Sequence, residues 1–469
     1  MVFSSVIFLF VFLPICLFLY FNPIIKSIKF KNIVLLIFSI IFYCYGALKY
    51  LYVIIFSIIL NYIIGLLLDK LDKKRKTILF IGIILNVSIF LFYKVLGTIT
   101  AINSIAFLPV VSPLGISFFT FQELSYIIDV YRKIIPSQKN FIKYSLYVTF
   151  FPQLIAGPIV RYGDVYKHID NRQTTFDDIK SGITGITVGL FKKCVIADTL
   201  GSVAMSIFTG KITSYSTSWL GAILLMLQFY YDFSGYSNMA IGLGEIFGFK
   251  IKENFNYPYY AISVNDFWKR WNISLGQWFN DYLLFPICNS NLYRKSLKKL
   301  SKIFNKKVAF EICNFLALLI VWIVVGLWHG ISINYLYLGL YYFLFIFIEK
   351  KFKLLKNKKM LSHIYTLVVI MIGTIIFFSF KDRSFVFLKS LFVNKSFIDN
   401  RFFLYLSNYW VYIIFAILFS FPLTKKIKNI FKVKKYYPII HTLIVFSMFV
   451  ISVYYLIINN YSPFLYFNF

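Results

Sequence analysis

The chain reads as an all-α polytopic membrane protein, and three observations carry that reading. Of its 469 residues 59% are hydrophobic, with a mean hydropathy of +0.75; soluble domains run nearer ~45–50% apolar and could not hide the surplus. Apolar stretches of about 20 residues, the length of a helix that crosses a bilayer, recur from end to end. Blocks of cations sit between them and raise the formal net charge to +31.

Apolar runs fall near residues 2–21, 32–47, 50–68, 77–95, 142–160, 183–200, 218–248, 308–328, 333–349, 361–380, 402–423 and 437–458. The first has no basic stretch ahead of it and no small-residue cleavage site, so it reads as a retained span. Residues 105–131 are apolar too, but Pro109, Pro113 and Gly115 interrupt them. Broken backbone at membrane depth is tolerated only where protein or a water-filled cavity covers it. About 11 to 13 membrane helices are expected, with short re-entrant or interfacial pieces between them. No internal repeat is detectable, which weakens a transporter built from inverted halves.

In a soluble protein a charge of +31 would suggest nucleic acid. Here the cations gather in Lys70–Lys76, Arg294–Lys307, Lys350–Lys359 and Lys425–Lys435, between apolar runs. That is the positive-inside pattern, with anionic membrane lipid as counter-charge, and no motif that reads nucleic acid accompanies it. With those clusters on the cytoplasmic side, the turn after 308–328 lies on the opposite side. The five cysteines, Cys16, Cys44, Cys194, Cys288 and Cys313, are scattered and form no CxxC pair. They make neither a disulfide framework nor a metal set.

Between Lys250 and Lys307 polar and aromatic residues crowd together. From Asp266 to Leu284 the positions Phe267, Trp271, Leu275, Trp278 and Leu283 recur at helical spacing. The pattern predicts one amphipathic helix, either partly immersed beside a site or simply anchoring the fold at the interface.

An uncharged run from Phe315 to Leu327 leads directly into Trp328-His329-Gly330. An ionisable group at such depth is expensive unless it faces a cavity or a partner, and imidazole suits proton transfer near neutral pH. His329 is therefore either a base or a satisfied histidine near a helix end. Three more segments place polar groups in apolar surroundings: Thr120, Gln122 and Glu123; Gln153 to Arg161; and Asp232, Ser234, Tyr236 and Asn238. Buried polar groups need partners, so each is interhelical glue or part of one polar cavity with His329. His168 sits in a charged loop and is expected to be solvated; His363 and His441 lie far off, so no histidine metal site is expected. Signatures of phosphate loops, dinucleotide folds, hydrolase elbows and zinc peptidases are missing.

Five segments stand in order: Pro113-Leu-Gly-Ile-Ser-Phe-Phe-Thr-Phe-Gln122, Phe151-Pro-Gln-Leu-Ile-Ala-Gly-Pro-Ile159, Asp232-Phe-Ser-Gly-Tyr-Ser237, Asp266-Phe-Trp-Lys-Arg-Trp-Asn-Ile-Ser-Leu275 and Gly326-Leu-Trp-His-Gly330. Together they resemble the membrane-bound O-acyltransferase family, in its bacterial alginate O-acetyltransferase-like branch. The resemblance is strong over residues 105–335 and rests on hydropathy outside them. It implies N-terminal helices over 1–104, a catalytic core over 105–335 and C-terminal helices over 336–469, around a central cavity.

The family's invariant histidine falls on His329, which by resemblance takes the proton of an acceptor hydroxyl as that oxygen attacks an acyl thioester. The second polar position, histidine in many bacterial members, falls on Asn272, which can orient or polarise but cannot shuttle a proton. Asp232, Tyr236, Gln122, Arg270 and Trp328 are expected to line the cavity. Ile287-Cys-Asn-Ser290 departs from the branch's usual Leu-Gly-Gly, so alginate is not assumed as acceptor.

The implied activity is O-acetylation of an extracytoplasmic polysaccharide or cell-envelope glycan in the bacterial cytoplasmic membrane. Acetyl-CoA or another acyl thioester would be the donor, with no permanently bound cofactor and no metal. A separate extracytoplasmic SGNH/esterase-like protein is the implied partner. The alternatives are D-alanyl transfer to teichoic acid from a carrier protein and, in a different class, a flippase or transporter for lipid-linked sugars.

Overall fold

In lipid an unpaired backbone N–H or C=O is costly, so so apolar a chain closes its hydrogen bonds within helices. The computed structural model describes residues 1–103, 112–210, 214–352, 358–378, 383–423 and 436–458, and 81% of them are helical. Among the described residues β pairing is limited to two isolated bridges, Ser214 with Ser396 and Phe255 with Trp271. The all-α expectation holds. Pro109, residues 353–357 of one basic cluster and the Lys425–Lys435 cluster lie outside the described residues.

Six helical segments among the described residues are long and apolar enough to cross a bilayer: Ile28–Lys70, Asp72–Gly97, Lys306–His329, Lys359–Phe377, Asn400–Phe419 and Tyr437–Ile458. The first holds two 20-residue helices, Ile28–Ala47 and Leu51–Lys70, joined by the tight turn Leu48–Tyr50. Other expected spans take different forms. Residues 142–160 split into Phe141–Thr149 and Phe151–Leu154, because Phe150 leaves the helical region (φ −48°, ψ 107°) and Pro152 has no N–H with which to continue the first helix. Residues 183–200 stay helical but widen into a π-helical stretch, Phe191–Ala197, between Phe176–Leu190 and Asp198–Thr209. Tyr215–Ile246 is a single 32-residue helix with Asp232 and Ser234 buried midway.

Internal contacts divide the chain into two units, one chiefly Met1–Leu190 with Tyr236–Glu253, the other chiefly Phe191–Gly235 with Asn254–Ser452. In the first, Phe3, Phe8, Phe12, Phe42 and Phe151 form an aromatic core. Buried amides there satisfy one another: Asn61 and Asn86 exchange hydrogen bonds at 2.9 and 2.8 Å, and the Ser57 hydroxyl donates to Glu123. Arg172 is buried too, donating from Nε to the Tyr20 hydroxyl at 2.9 Å and from Nη1 to Asn32 at 2.7 Å. His168, expected in solvent, is half-buried with Nδ1 enclosed, because its helix packs its ring toward Phe249.

The second unit is organised around a hairpin of two helices, Lys306–His329 and Ile333–Phe352. Glycine sets their spacing. A Cβ at Gly326 would lie 2.3 Å from the Tyr335 carbonyl oxygen, and one at Gly339 would lie 2.3 Å from that of Trp322. Any side chain at either position would drive the arms apart.

Candidate active site

The helix that carries His329 begins at Asn305, whose side chain accepts the Val308 N–H at 2.9 Å. Its 24 residues rise about 35 Å at ~1.5 Å each, slightly more than the hydrocarbon thickness of a bilayer. His329 thus stands a membrane thickness from the basic residues Lys306 and Lys307 at the other end. The imidazole is half-buried with Nδ1 enclosed, and its ring centroid lies 5.1 Å from Phe377, 5.9 Å from Tyr335 and 4.5 Å from Trp328. Trp328 is buried, its ring 6.4 Å from Phe279.

Aromatic contacts lead from His329 to Asn272. Phe377 meets Phe229 at 5.0 Å, and Phe229 stacks on Trp271 at 5.1 Å. Around Trp271 the structure corrects the single helix expected over Asp266–Leu284. There are two short helices, Val264–Arg270 and Ile273–Phe279, followed by a wide turn over Asn280–Leu284. The break is made by a long-range pairing that helical periodicity cannot reveal. The Asn256 N–H donates to the Arg270 carbonyl at 2.9 Å and the Ile273 N–H to the Asn254 carbonyl at 3.0 Å, which draws Trp271 into an extended conformation. Asn272 then turns left-handed (φ 44°, ψ 55°), a region that Asn, Asp and His enter more readily than other side-chain-bearing residues. The Asn254 side-chain oxygen takes over the capping of the second helix, accepting from Ser274 N at 3.0 Å and Ser274 Oγ at 2.8 Å. Asn272 makes no capping bond and is buried.

Asp232 lies one helical turn beyond Phe229, and its carboxylate is held by Lys193 Nζ at 2.6 Å. The same ammonium meets Asp198 at 2.7 Å. In a π-helical turn the backbone bonds run from i to i+5, which brings Lys193 and Asp198 round to one side. Arg270 is engaged locally: Nε donates to Asp266 at 2.9 Å and Nη1 reaches the Asn256 carbonyl at 3.4 Å. The second unit therefore gathers His329, Trp328, Asn272, Asp232 and Arg270. Gln122 and Tyr236 belong to the first unit, where Gln122 is fully buried and Tyr236 stacks on Phe3 at 4.6 Å.

Lys193 and Asn254 were not singled out from the sequence as site residues. For Lys193 there was a usable signal: a cation inside the apolar run 183–200 must find a partner. Asn254 offered none, because its task is defined by the fold of a segment elsewhere in the chain.

A many-span helical chain of this kind, with a histidine at the end of a membrane helix, is matched over residues 131–388 by the model of the membrane-bound O-acyltransferase family. The chain belongs to that family and is an acyltransferase. It is 38% identical over 363 residues to the probable alginate O-acetylase of Pseudomonas syringae pv. tomato, a match covering 75% of this chain and 66% of that protein. The chain thus spans just under two thirds of that relative's length. To the peptidoglycan O-acetyltransferase of Helicobacter pylori it is 32% identical over 379 residues, covering 72% of this chain and 68% of the relative. To the teichoic acid D-alanyltransferase of Bacillus subtilis it is 30% identical over 240 residues, covering 50% and 57%.

Proposed function

We propose that this protein O-acetylates an extracytoplasmic polysaccharide or cell-envelope glycan from the bacterial cytoplasmic membrane, using a cytoplasmic acyl thioester such as acetyl-CoA. Relatives named as a probable alginate O-acetylase and as a peptidoglycan O-acetyltransferase align with about three quarters of this chain, which supports O-acetylation of a glycan. The D-alanyltransferase aligns with half of it, so D-alanyl transfer is the weaker reading.

The observation that carries the proposal is the seat of His329 at the end of a helix whose other end is cationic. The basic end faces the compartment that makes thioesters, and the imidazole lies toward the side where envelope glycans are found. An acceptor hydroxyl, on the glycan or on the partner that relays the acetyl group to it, is a weak nucleophile until a base takes its proton. With Nδ1 enclosed, that proton goes to Nε2 as the hydroxyl oxygen bonds to the thioester carbonyl carbon. The C–S bond then breaks, and the imidazolium returns the proton to the departing thiolate. General-base assistance of this kind is worth on the order of 10²–10⁴ in rate. Asn272 orients the acceptor or the carbonyl. The glycan, the donor and a separate extracytoplasmic SGNH/esterase-like protein that completes transfer to the polymer are the partners of this scheme.

Mass spectrometry of envelope glycans from cells with and without the chain tests it. Acetyl esters should disappear without the chain and should stay absent when His329→Ala is expressed at wild-type level in the membrane. Full acetylation by His329→Ala would overturn the proposal.

A further inference from the structure

We infer that Glu349 is a positioning residue for acyl transfer: its carboxylate holds the start of the Val264–Arg270 helix and so sets where Asn272 stands relative to His329. The inference rests on the reading of His329 as the base.

Glu349 lies near the end of the Ile333–Phe352 helix, the second arm of the hairpin whose first arm ends at His329. The Val264 N–H donates to its Oε1 at 2.7 Å and the Asn265 N–H to its Oε2 at 3.2 Å. First-turn N–H groups have no partner within their own helix, and a carboxylate that takes two of them fixes direction as well as distance. Ser263 Oγ accepts a third, from Asp266 at 2.9 Å. Just before this helix, the Ala261 carbonyl is met at 3.0 Å by His363 Nδ1. His363 rides on the Lys359–Phe377 helix, whose last residue packs against the His329 ring.

The middle of the short helix is pinned as well. The Trp268 ring sits 5.1 Å from Trp322 and 4.8 Å from Tyr342, one on each arm of the hairpin. Trp322 precedes His329 by two turns, and Tyr342 precedes Glu349 by two turns. Four residues beyond Trp268 comes Asn272. The short helix is thus a strut, clamped by Glu349 at its start and seated on both arms at its middle, and Asn272 follows two residues after its last residue, Arg270. An apolar side chain at 349 would pack at less desolvation cost but would leave two N–H groups unpaired and the strut free to rotate about Trp268. Misplacing a group by about 1 Å at a reacting centre costs on the order of 10² in rate.

The test uses the full chain in proteoliposomes supplied with radiolabelled acetyl-CoA and a glycan acceptor. Glu349→Ala should lower turnover on the order of 10- to 100-fold with the KM for acetyl-CoA unchanged, and amide exchange at Val264 and Asn265 should quicken. Glu349→Gln, whose amide oxygen still accepts an N–H, should restore most of the turnover. Should Glu349→Ala not fold, Glu349→Asp takes its place, with a side chain one methylene too short and the same expected loss. Wild-type turnover despite faster exchange overturns the inference, and so does a Glu349→Gln enzyme as slow as Glu349→Ala. Turnover that survives His329→Ala strikes the underlying reading instead; it is told apart because exchange at Val264 then stays as in wild type.

Discussion

Lys193 and Asp232 form an ion pair of 2.6 Å in which each side chain is only 3% exposed. At that burial each charge depends on its partners within the protein, and Asp198 adds a second contact to the same ammonium. The pair joins the π-helical stretch Phe191–Ala197 to the long helix Tyr215–Ile246. One turn before Asp232, that helix presents Phe229 to Phe377, the ring beside His329. An electrostatic lock at Lys193 therefore holds the wall against which the proposed base is packed.

Removing one partner of a buried pair costs about 3–5 kcal/mol, because the charge left behind has nowhere to go. The two ends of this pair are unequal. Lys193→Met removes an ammonium that touches two carboxylates, whereas Asp232→Asn removes one carboxylate and leaves Lys193 with Asp198. Thermal unfolding of the purified variants in detergent should show the larger loss for Lys193→Met and an intermediate one for Asp232→Asn. Equal unfolding temperatures for both variants and the wild type would mean that the pair contributes nothing.

The hairpin makes a separate prediction. Gly326 lies less than one turn from His329, and its missing Cβ is what lets the second arm approach. Overpacking a close contact of this kind costs about 1–3 kcal/mol, and the strain falls on the turn that aims the imidazole. Gly326→Ala should therefore lower both the unfolding temperature and the turnover. A change at Gly46, whose Cβ would meet, among the described residues, the Leu114 side chain and the N-terminal nitrogen at 3.2 and 3.3 Å, should do neither to the same degree. Comparing turnover per folded molecule for the two variants checks it.

What could be read from the amino acids alone divides along physical lines. The helical fold and the seat of His329 follow from local properties: an apolar run too long for a soluble core, cations at one end and a lone imidazole at the other. The break at Trp271 and Asn272 does not, since Phe267, Trp271, Leu275 and Trp278 keep perfect helical spacing across it. What overrides that spacing is hydrogen bonding to Asn254 and Asn256, residues whose proximity exists only in the folded chain. Glu349 was hidden for the opposite reason. At the edge of an apolar run, next to Lys350 and Lys351, it looks like an interfacial charge, and its two backbone donors lie in a distant segment.

Asn272 offers the sharpest separation of backbone from chemistry. Its left-handed conformation (φ 44°) costs most residues roughly 1–2 kcal/mol, so an asparagine there could be retained for shape alone. Asn272→Gly accepts the conformation and deletes the amide; Asn272→Ala deletes the amide and adds the strain. If the amide orients substrate, both variants should lose turnover on the order of tenfold per folded molecule, the equivalent of one hydrogen bond of about 1.4 kcal/mol. Only Asn272→Ala should also unfold at lower temperature. Asn272→His, with a ring that tolerates the same backbone region and can itself hydrogen-bond, should fold normally and keep more turnover than Asn272→Gly. Wild-type turnover in Asn272→Gly would assign the residue to the backbone and remove it from the reaction.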